Sequence, residues 1–345
     1  MDNLTARPQL LKQANLSFIR KVLKNKGTVT RAEIAWETKI SSTTIRSLLT
    51  EMQQNGEIES VGYDESSGGR KAERYRLKMD RYYGAAFCIT NDKIHCLTIN
   101  ICGEVVETIE LGISDGDVET PIISCLDDLT ARMEIKSIGV GVPGIVDGSG
   151  YMKKDHDNKF YKVDIGEKLA KRYDIPVIIE NDLNAITIGI GRCYEKRYPY
   201  RHPENMNMAF IYFEEGCISA GFIVNGKIIR GWNNYAGELG LIPINSEESL
   251  SARMAKPMDN EEYIKLIIKI TSWICGILNP QYVALGGPTF RKECLGDIID
   301  GLYTLLPQKM FADILYSPEV QHDYFEGMAF LTAEKMFDEV QFVKE

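Results

Sequence analysis

Carboxylate and amide side chains cluster at one point of the sequence, in the run Pro176-Val-Ile-Ile-Glu-Asn-Asp-Leu-Asn-Ala185. Val177 to Ile179 predict a short buried strand, and Asn181 or Asp182 is suited to cap a helix that follows. Small molecules bind at the carboxyl ends of strands in α/β proteins, and carboxylates accept hydrogen bonds from vicinal hydroxyls on both oxygens. This run therefore predicts a binding site. The alternative is that Asp182 only caps the helix.

Three other stretches combine closely spaced glycines with polar residues. They are Ile138-Gly-Val-Gly-Val-Pro-Gly-Ile-Val-Asp147, Gly221 through Ala236-Gly-Glu-Leu-Gly240, and Ala284-Leu-Gly-Gly-Pro288. The string of Gly139, Gly141, Pro143 and Gly144 is typical of tight turns at strand ends. Glycine patterns of this kind are weak evidence of function when taken alone.

These four stretches, in this order, resemble the motifs of the ROK family of sugar kinases and sugar-responsive repressors. The resemblance implies an α/β chain whose body has an actin-like, ribonuclease H-like fold of two lobes. The first lobe would span residues 79–184 and be completed by the carboxyl-terminal helix, 324–345, and the second, dimerising lobe would span 185–323. The effector-binding residues that the resemblance implies are Gly141, Asn158, Glu180, Asn181, Asp182 and Glu238.

The loops that hold nucleotide phosphates in the kinases of this family are altered here. One corresponds to Cys88-Ile-Thr-Asn-Asp-Lys93, which contains no glycine, and the other to Glu215-Gly-Cys-Ile-Ser-Ala-Gly221. Phosphate-binding loops need glycine where the backbone must approach the ligand closely, and Asp92 and Glu214 add negative charge. Because phosphoryl transfer depends on positioning and charge neutralisation, we expect no enzyme activity and no cofactor. Asp182, the general base of the kinases, would remain as a sugar ligand.

The zinc ligands of the family are also replaced. The family's histidine corresponds to Leu241, and residues 242–262 contain neither cysteine nor histidine. A tetrahedral Cys and His site cannot be formed from such residues, so we expect no metal. The eight cysteines are scattered singly and are expected to be small buried residues rather than disulfide partners.

A separate module is predicted at residues 1–78. Helical spacing of apolar residues begins near Asn15 and ends at Gly27, and Thr30-Arg-Ala-Glu33 forms a capping box that starts a second helix, running to about Lys39. A third helix would begin near Ser42 and bury one apolar face, formed by Ile45, Leu48, Leu49 and Met52. Its opposite face has short polar side chains and one arginine, Arg46, and such a face suits entry into a DNA major groove.

A basic hairpin follows these helices. The segments Glu57–Tyr63 and Glu73–Leu77 alternate like strands, and the glycine-rich loop between them carries Arg70 and Lys71. The module thus resembles the winged helix-turn-helix of ROK repressors. The predicted DNA-binding residues are Thr30, Arg31, Ser42, Thr43, Thr44, Arg46, Ser47, Arg70 and Lys71. The alternative for each feature alone is a solvated helix face and an ordinary turn.

Charge distribution supports a nucleic-acid contact at the amino end. The whole chain of 345 residues has a net charge of −9, yet residues 1–80 contain 14 Lys and Arg against 10 Asp and Glu. A basic module on an acidic body is typical of DNA-binding proteins. No run of 18 apolar residues and no signal-peptide pattern is found, so we expect a cytoplasmic protein without a membrane partner.

These observations predict a transcription regulator, a repressor, that binds double-stranded DNA as a homodimer or dimer of dimers on a palindromic operator. A sugar or sugar derivative between the two lobes would change their closure and the separation of the recognition helices. Two alternatives remain open: a constitutive DNA-binding dimer without an effector, and an active sugar kinase with a DNA-binding module. The stretch Tyr194–Asn207 is predicted to be an exposed insertion.

Overall fold

An amino-terminal head and a larger body follow one another along the chain. The computed structural model describes residues 6–64, 71–90, 92–154, 160–197 and 205–336. The predicted site residues Arg70 and Asn158 lie outside these ranges. Within the described ranges, no helix has the length and apolar character needed to cross a bilayer.

The head contains three helices and a three-stranded antiparallel sheet. Its elements are α1 (Ala6–Lys26), β1 (Val29–Thr30), α2 (Arg31–Thr38), α3 (Ser42–Gln54), β2 (Ile58–Tyr63) and β3 (Glu73–Leu77). The strand order in the sheet is β1-β3-β2. The hairpin of β2 and β3 thus folds back toward the start of α2.

Local sequence signals determine where the head helices begin and end. Thr30 caps α2 in a reciprocal capping box, since its hydroxyl accepts from the Glu33 amide (3.2 Å) and its own amide donates to the Glu33 carboxylate (2.7 Å). Ser41 caps α3 by accepting from the Thr44 amide (3.2 Å). The capping box and the start of α3 are as predicted, and the four apolar residues expected on its inner face are all buried.

The first half of the body is built on a five-stranded sheet with order β11-β7-β4-β5-β6. Its elements are β4 (Tyr83–Ile89), β5 (Lys93–Asn100), β6 (Val105–Gly112), α4 (Glu119–Arg132), β7 (Ile135–Val142), β8 (Ile145–Asp147), β9 (Gly150–Lys154), β10 (Phe160–Val163), α5 (Ile165–Tyr173), β11 (Val177–Asn181) and α6 (Asp182–Arg197). The short strands β8, β9 and β10 form a separate antiparallel sheet that is inserted after β7.

The second half repeats this arrangement, with a sheet of order β14-β13-β12-β15-β16. Its elements are β12 (Met208–Glu214), β13 (Cys217–Val224), β14 (Lys227–Ile228), α7 (Leu250–Met254), α8 (Asn260–Leu278), β15 (Tyr282–Gly286), α9 (Leu295–Leu305), β16 (Asp313–Ser317) and α10 (Val320–Lys335). In both sheets three antiparallel strands are extended by two parallel ones. The body is therefore a mixed α/β structure of two halves with the same topology.

Helices α6 and α10 lie between the two sheets and cross at close distance. Apolar residues of both sheets and both helices form a single buried cluster there, which includes Leu97, Ile186, Phe210 and Met328. The crossing is so close that a Cβ added to Gly327 would lie 1.8 Å from the carbonyl oxygen of Ala185. The predicted lobe boundary at residues 184–185 falls inside α6, which links the halves directly.

Two glycines predicted to form turns lie inside a strand instead. Gly139 and Gly141 belong to β7, and added Cβ atoms would lie 2.0 Å from the Thr332 hydroxyl and 2.3 Å from the Tyr324 hydroxyl. The turn prediction was therefore wrong for both, because their side of the strand is covered by α10. Gly144 does follow the strand end.

The stretch Tyr194–Asn207 was predicted to be an exposed insertion, and its ends are not. Tyr194 is part of α6, and its ring packs on the ring of Tyr282 with centroids 4.4 Å apart. Met206 is buried. Both ends belong to the body, and residues 198–204 between them lie outside the described part.

The head contacts the first half of the body through apolar and charged groups. Ile101 and Tyr82 of the body join the buried cluster of the head. The Lys24 ammonium of α1 lies 3.2 Å from the Glu334 carboxylate near the end of α10. Helix α10 thus touches the head at one end and α6 along its length.

Candidate functional site

A polar corner forms where β11 ends and α6 begins. The Asn181 side chain accepts a hydrogen bond from the Asn184 amide (3.1 Å), which caps the first turn of α6. Its NH₂ group donates to the Gly144 carbonyl (3.0 Å) and to Asp182 Oδ1 (3.0 Å). The Asn181 amide therefore ties the glycine-containing turn after β7 to the carboxylate of Asp182.

Asp182 carries a carboxyl group that is poorly solvated. Although part of the residue remains exposed, the carboxyl group is enclosed by protein, and this desolvation raises its pKa from 3.8 to about 7. The nearby carboxylate of Glu214 raises this pKa further, whereas hydrogen bonds from the Leu183 amide and from Asn181 act in the opposite direction. Near neutral pH the Asp182 carboxyl group is therefore present in both forms and can donate or accept a hydrogen bond.

Glu180 lies beneath this corner and is almost fully buried. Its Oε1 accepts from the Asn184 side-chain amide (2.9 Å) and from the Asn181 backbone amide (3.1 Å). Its Oε2 is paired with the guanidinium of Arg230. Both carboxylate oxygens are thus engaged by the protein, and direct contact between Glu180 and an effector stays a prediction.

The other predicted effector residues differ in position. Gly141 is the register partner of Glu180 in the β7–β11 pair. The ring of Tyr324 occupies the space that a side chain on Gly141 would need. Glu238 is exposed and immediately precedes a 3₁₀ turn, Leu239–Leu241. The structure therefore brings Gly141 together with residues 180–182, whereas Glu238 belongs to the second half of the body.

Two residues at this corner were not predicted from the sequence. Arg230 follows β14 in the second half and pairs with Glu180 of the first half. Asn234 donates through its side-chain amide to the Val146 carbonyl of β8 (2.8 Å). A buried Glu180 signals a need for a cation, but no local pattern identifies a partner 50 residues away.

A second polar surface lies on the outer face of α3. Ser42, Thr43, Arg46, Ser47 and Thr50 are all exposed. Thr43, Arg46, Ser47 and Thr50, with Glu51 and Gln54, line a shallow depression of about 500 Å³. Within the described part of the chain, the Arg46 guanidinium has no ion-pair or hydrogen-bond partner. The face is therefore available to an external ligand.

The remaining predicted DNA-binding residues fall into two groups. Arg31 and Lys71 are exposed, as a contact with DNA requires. Thr30 is buried and uses its hydroxyl in the capping box, and the Thr44 hydroxyl is bonded to the Ser41 hydroxyl (2.8 Å). For these two threonines the visible role is to stabilise helix starts, and a DNA contact stays a prediction.

Comparison with known proteins relates the middle of the chain to one family. Residues 88–253 match the model of the ROK family. The chain contains a ROK family domain. The xylose repressor of Caldicellulosiruptor bescii is 26% identical over 252 residues, which cover 70% of this chain and 61% of that repressor.

One solved structure extends the likeness in fold to nearly the whole chain. A ROK family transcriptional regulator, a homologue of the Escherichia coli MLC protein, superposes with a TM-score of 0.70 at 16% identity over 95% of this chain and 98% of that one. The ROK hexokinase of Thermus thermophilus superposes with a TM-score of 0.53 at 17% identity over 72% of this chain and 98% of the hexokinase. The first likeness is too extensive to leave out the head, so head and body together have the fold of a ROK regulator.

Two hairpins are expected from the sequence to correspond to the phosphate loops of ROK kinases, and both have hydrogen-bonded ends. In the first, the Thr90 hydroxyl bonds within the turn, donating to the Lys93 carbonyl (2.9 Å) and accepting from the Lys93 amide (3.3 Å). In the second, Glu214 pairs with Cys217 across a turn that contains Gly216 at φ 64°. Cys88, which the resemblance aligns with the kinases' aspartate, is buried.

The segment that the resemblance aligns with the ROK zinc site contains a 3₁₀ turn and a short helix. Leu241 ends the 3₁₀ turn and is 72% exposed, and the following segment folds into α7, capped by Ser249 and anchored by the buried Leu250. Among the described residues, no three His, Cys, Asp or Glu side chains are grouped as a metal site would require.

Proposed function

We propose that this chain is a DNA-binding transcription regulator, a repressor, whose ROK body binds a sugar effector without phosphorylating it. The observation that carries the proposal is the exposed polar face of α3, with an unpaired Arg46, on a head that is joined to a ROK body. The effector, the operator and the oligomeric state are also part of the proposal, because the chain matches only 61% of the length of the xylose repressor.

The DNA-binding part of the proposal rests on the geometry of the head. Helices α2 and α3 form a helix-turn-helix, and the amino-terminal residues of α3 would enter the major groove, where Arg46 can bond bidentately to guanine. The hairpin of β2 and β3 would act as the wing, with Lys71 and Arg70 against the phosphate backbone. One head contacts few base pairs, so a homodimer on a palindromic operator is expected.

The effector part rests on the corner at residues 180–182. Asp182 offers a carboxyl group that can accept hydrogen bonds from sugar hydroxyls and, when protonated, can also donate one. Sugar kinases and sugar-responsive repressors share this fold, and the relative named a xylose repressor makes D-xylose the first sugar to test. Effector binding would bias the closure of the two halves, and only a difference in affinity between closure states can shift their populations.

The absence of kinase activity is part of the same proposal. The Thr90 hydroxyl is used within its own turn, and Glu214 and Glu215 would lie beside the phosphates of a nucleotide. Neutralisation of phosphate charge is the main requirement of phosphoryl transfer, and these residues oppose it. We infer a cytoplasmic regulator that uses the kinase cleft for binding alone.

The test begins with the isolation of duplexes from a random library by the wild-type protein. The selected duplex should show two related half-sites, and D-xylose, D-glucose, N-acetylglucosamine or the 6-phosphate of either of the last two sugars should release the protein from it. Incubation with ATP and the releasing sugar should yield no ADP. Release by none of these sugars, with binding intact, would favour a constitutive DNA-binding dimer. ADP formation would establish a kinase.

Arg46→Ala identifies the reading helix. If Arg46 contacts a base, the substitution should weaken binding to the selected duplex by about 1–3 kcal/mol and weaken binding to random DNA much less. The control is Arg132→Ala, which removes an exposed arginine of the body that pairs with Glu107 (2.8 Å). Equal affinities of wild type and Arg46→Ala would show that α3 does not read the sequence through this residue.

A further inference from the structure

The loop that follows β14 crosses from the second half of the body to the first. The Ile229 amide still belongs to the second sheet, donating to the Phe222 carbonyl (2.8 Å). From there the next residues turn tightly, with Gly231 and Asn234 in left-handed conformations at φ 75° and 61°. The Ala236 amide closes the turn on the Arg230 carbonyl (3.2 Å). We call residues 230–236 the bridging loop.

Polar contacts, rather than apolar packing, attach the bridging loop to the first half. Trp232, at its tip, is 96% exposed and so contributes nothing to a core. The loop is attached by the Arg230–Glu180 ion pair and by the hydrogen bond from Asn234 to the Val146 carbonyl. Loss of either contact would therefore leave the loop attached to the first half by the other contact alone.

The ion pair acts on the residues that position Asp182. Glu180 Oε1 accepts from the backbone amide of Asn181 and from the side chain of Asn184, the residues on either side of Asp182 and Leu183. A carboxylate that is 1% exposed is stable there only with a partner of opposite charge. Arg230 supplies that charge from the other half of the body.

We propose that Arg230 and Asn234 are positioning residues, which fasten the second half to the first and hold the Asn181–Asp182 corner in the geometry that receives the effector. The effector half of this proposal rests on the function proposed above, whereas the positioning half does not. A change in the relative position of the two halves would alter the Arg230–Glu180 pair and, through Glu180, the position of Asp182. Closure and ligand binding would therefore depend on each other.

Hydrogen–deuterium exchange of the sugar-free protein tests the positioning half. In Arg230→Met, amides of residues 181–187 should exchange about tenfold faster than in wild type, because a charge-assisted bond that restrains the turn is lost. Exchange in α8 should stay unchanged. Arg230→Lys should restore part of the protection, and Glu180→Gln and Asn234→Ala should each raise exchange less than Arg230→Met does.

The matched control is Arg253→Met, which removes an arginine of α7 that pairs with Glu262 of α8 (3.2 Å), within the second half of the body. It should leave exchange at residues 181–187 unchanged. If residues 181–187 of Arg230→Met exchange as slowly as in wild type, or if exchange rates rise equally in every segment, the proposal is overturned. If Arg230→Met does not fold, Glu180→Gln and Asn234→Ala decide by the same criterion.

Release from the selected duplex by D-xylose, or by another sugar that releases wild type, tests the effector half. Arg230→Met should need on the order of tenfold more sugar for half-release, and its affinity for the duplex without sugar should stay within about twofold of wild type. An unchanged sugar requirement would overturn the effector half. Failure of wild type to respond to any sugar would reject the effector function, and the exchange experiment would still decide the positioning role.

Discussion

Asp182 should destabilise the folded protein at neutral pH, and Asp182→Asn should relieve this cost. In the unfolded chain the carboxyl group ionises near its ordinary pKa of 3.8, whereas burial raises the pKa to about 7 in the folded protein. Between these values the folded state binds the proton that the unfolded state has lost, so the free energy of unfolding falls as pH rises. The full difference corresponds to about 4 kcal/mol, at about 1.4 kcal/mol per pKa unit.

The expected result is a gap between variant and wild type that depends on pH. Asparagine keeps the oxygen that accepts from the Leu183 amide and has no charge to desolvate. The stability gain of Asp182→Asn should be small near pH 4, should grow by about 2 kcal/mol between pH 5 and pH 7, and should level off above about pH 8. Urea denaturation at a series of pH values measures it, and the melting temperature at pH 8 should rise on the order of 5 °C.

Asp127→Asn is the matched control, because Asp127 is a carboxylate with the opposite perturbation. Bonds from Arg172 and Tyr173 lower the pKa of Asp127, so its contribution is complete well below pH 5 and is lost only in acid. The stability difference of Asp127→Asn should therefore stay constant from pH 5 to pH 8. A constant difference for Asp182→Asn over the same range would refute the buried, proton-binding state. Asp182→Asn should also no longer be released from the selected duplex by sugar, while its affinity for that duplex stays unchanged.

Two packing predictions accompany this one. Gly327→Ala places a methyl group 1.8 Å from the Ala185 carbonyl oxygen and should lower the free energy of unfolding by about 3 kcal/mol. Gly276→Ala, on an open face of α8, should raise it by about 0.5–1 kcal/mol. Urea denaturation compares the two variants, and equal stabilities would contradict the close crossing. Thr30→Ala removes the capping box and should cost about 1–2 kcal/mol, seen as faster amide exchange in α2, and unchanged exchange would deny the cap a stabilising role.

Local signals made the head predictable and left parts of the body unpredictable. The capping box at Thr30 and the apolar face of α3 involve residues three or four positions apart, so the sequence alone contains the whole interaction. Gly139 and Gly141 could not be interpreted in this way. What requires a glycine there is α10, which lies almost 200 residues later in the chain, and a glycine in a strand does not reveal what covers it.

The candidate site shows the same division. Asn181 as a helix cap and Asp182 at a strand end followed from their order in the chain, and the structure has Asn181 capping α6. The Glu180–Arg230 pair joins two halves of a repeated fold, and its partners are set by the packing of the sheets rather than by spacing. Tyr194 was assigned to an insertion because its neighbours are polar, although α6 continues through it to reach Tyr282.

Helix α10 offers a short physical route from the corner to the head. Helix α6 starts at Asp182 and meets α10 backbone to backbone at Gly327, and α10 reaches the head through Glu334 and Lys24. At this contact no side chain lies between the two backbones, so a shift of α6 is expected to move α10 rather than be absorbed. We therefore propose that α10 transmits the effector signal. Gly327→Ala would then impair sugar release more than sugar-free DNA binding, whereas Gly276→Ala would alter neither, and equal sugar release by both variants would exclude this route.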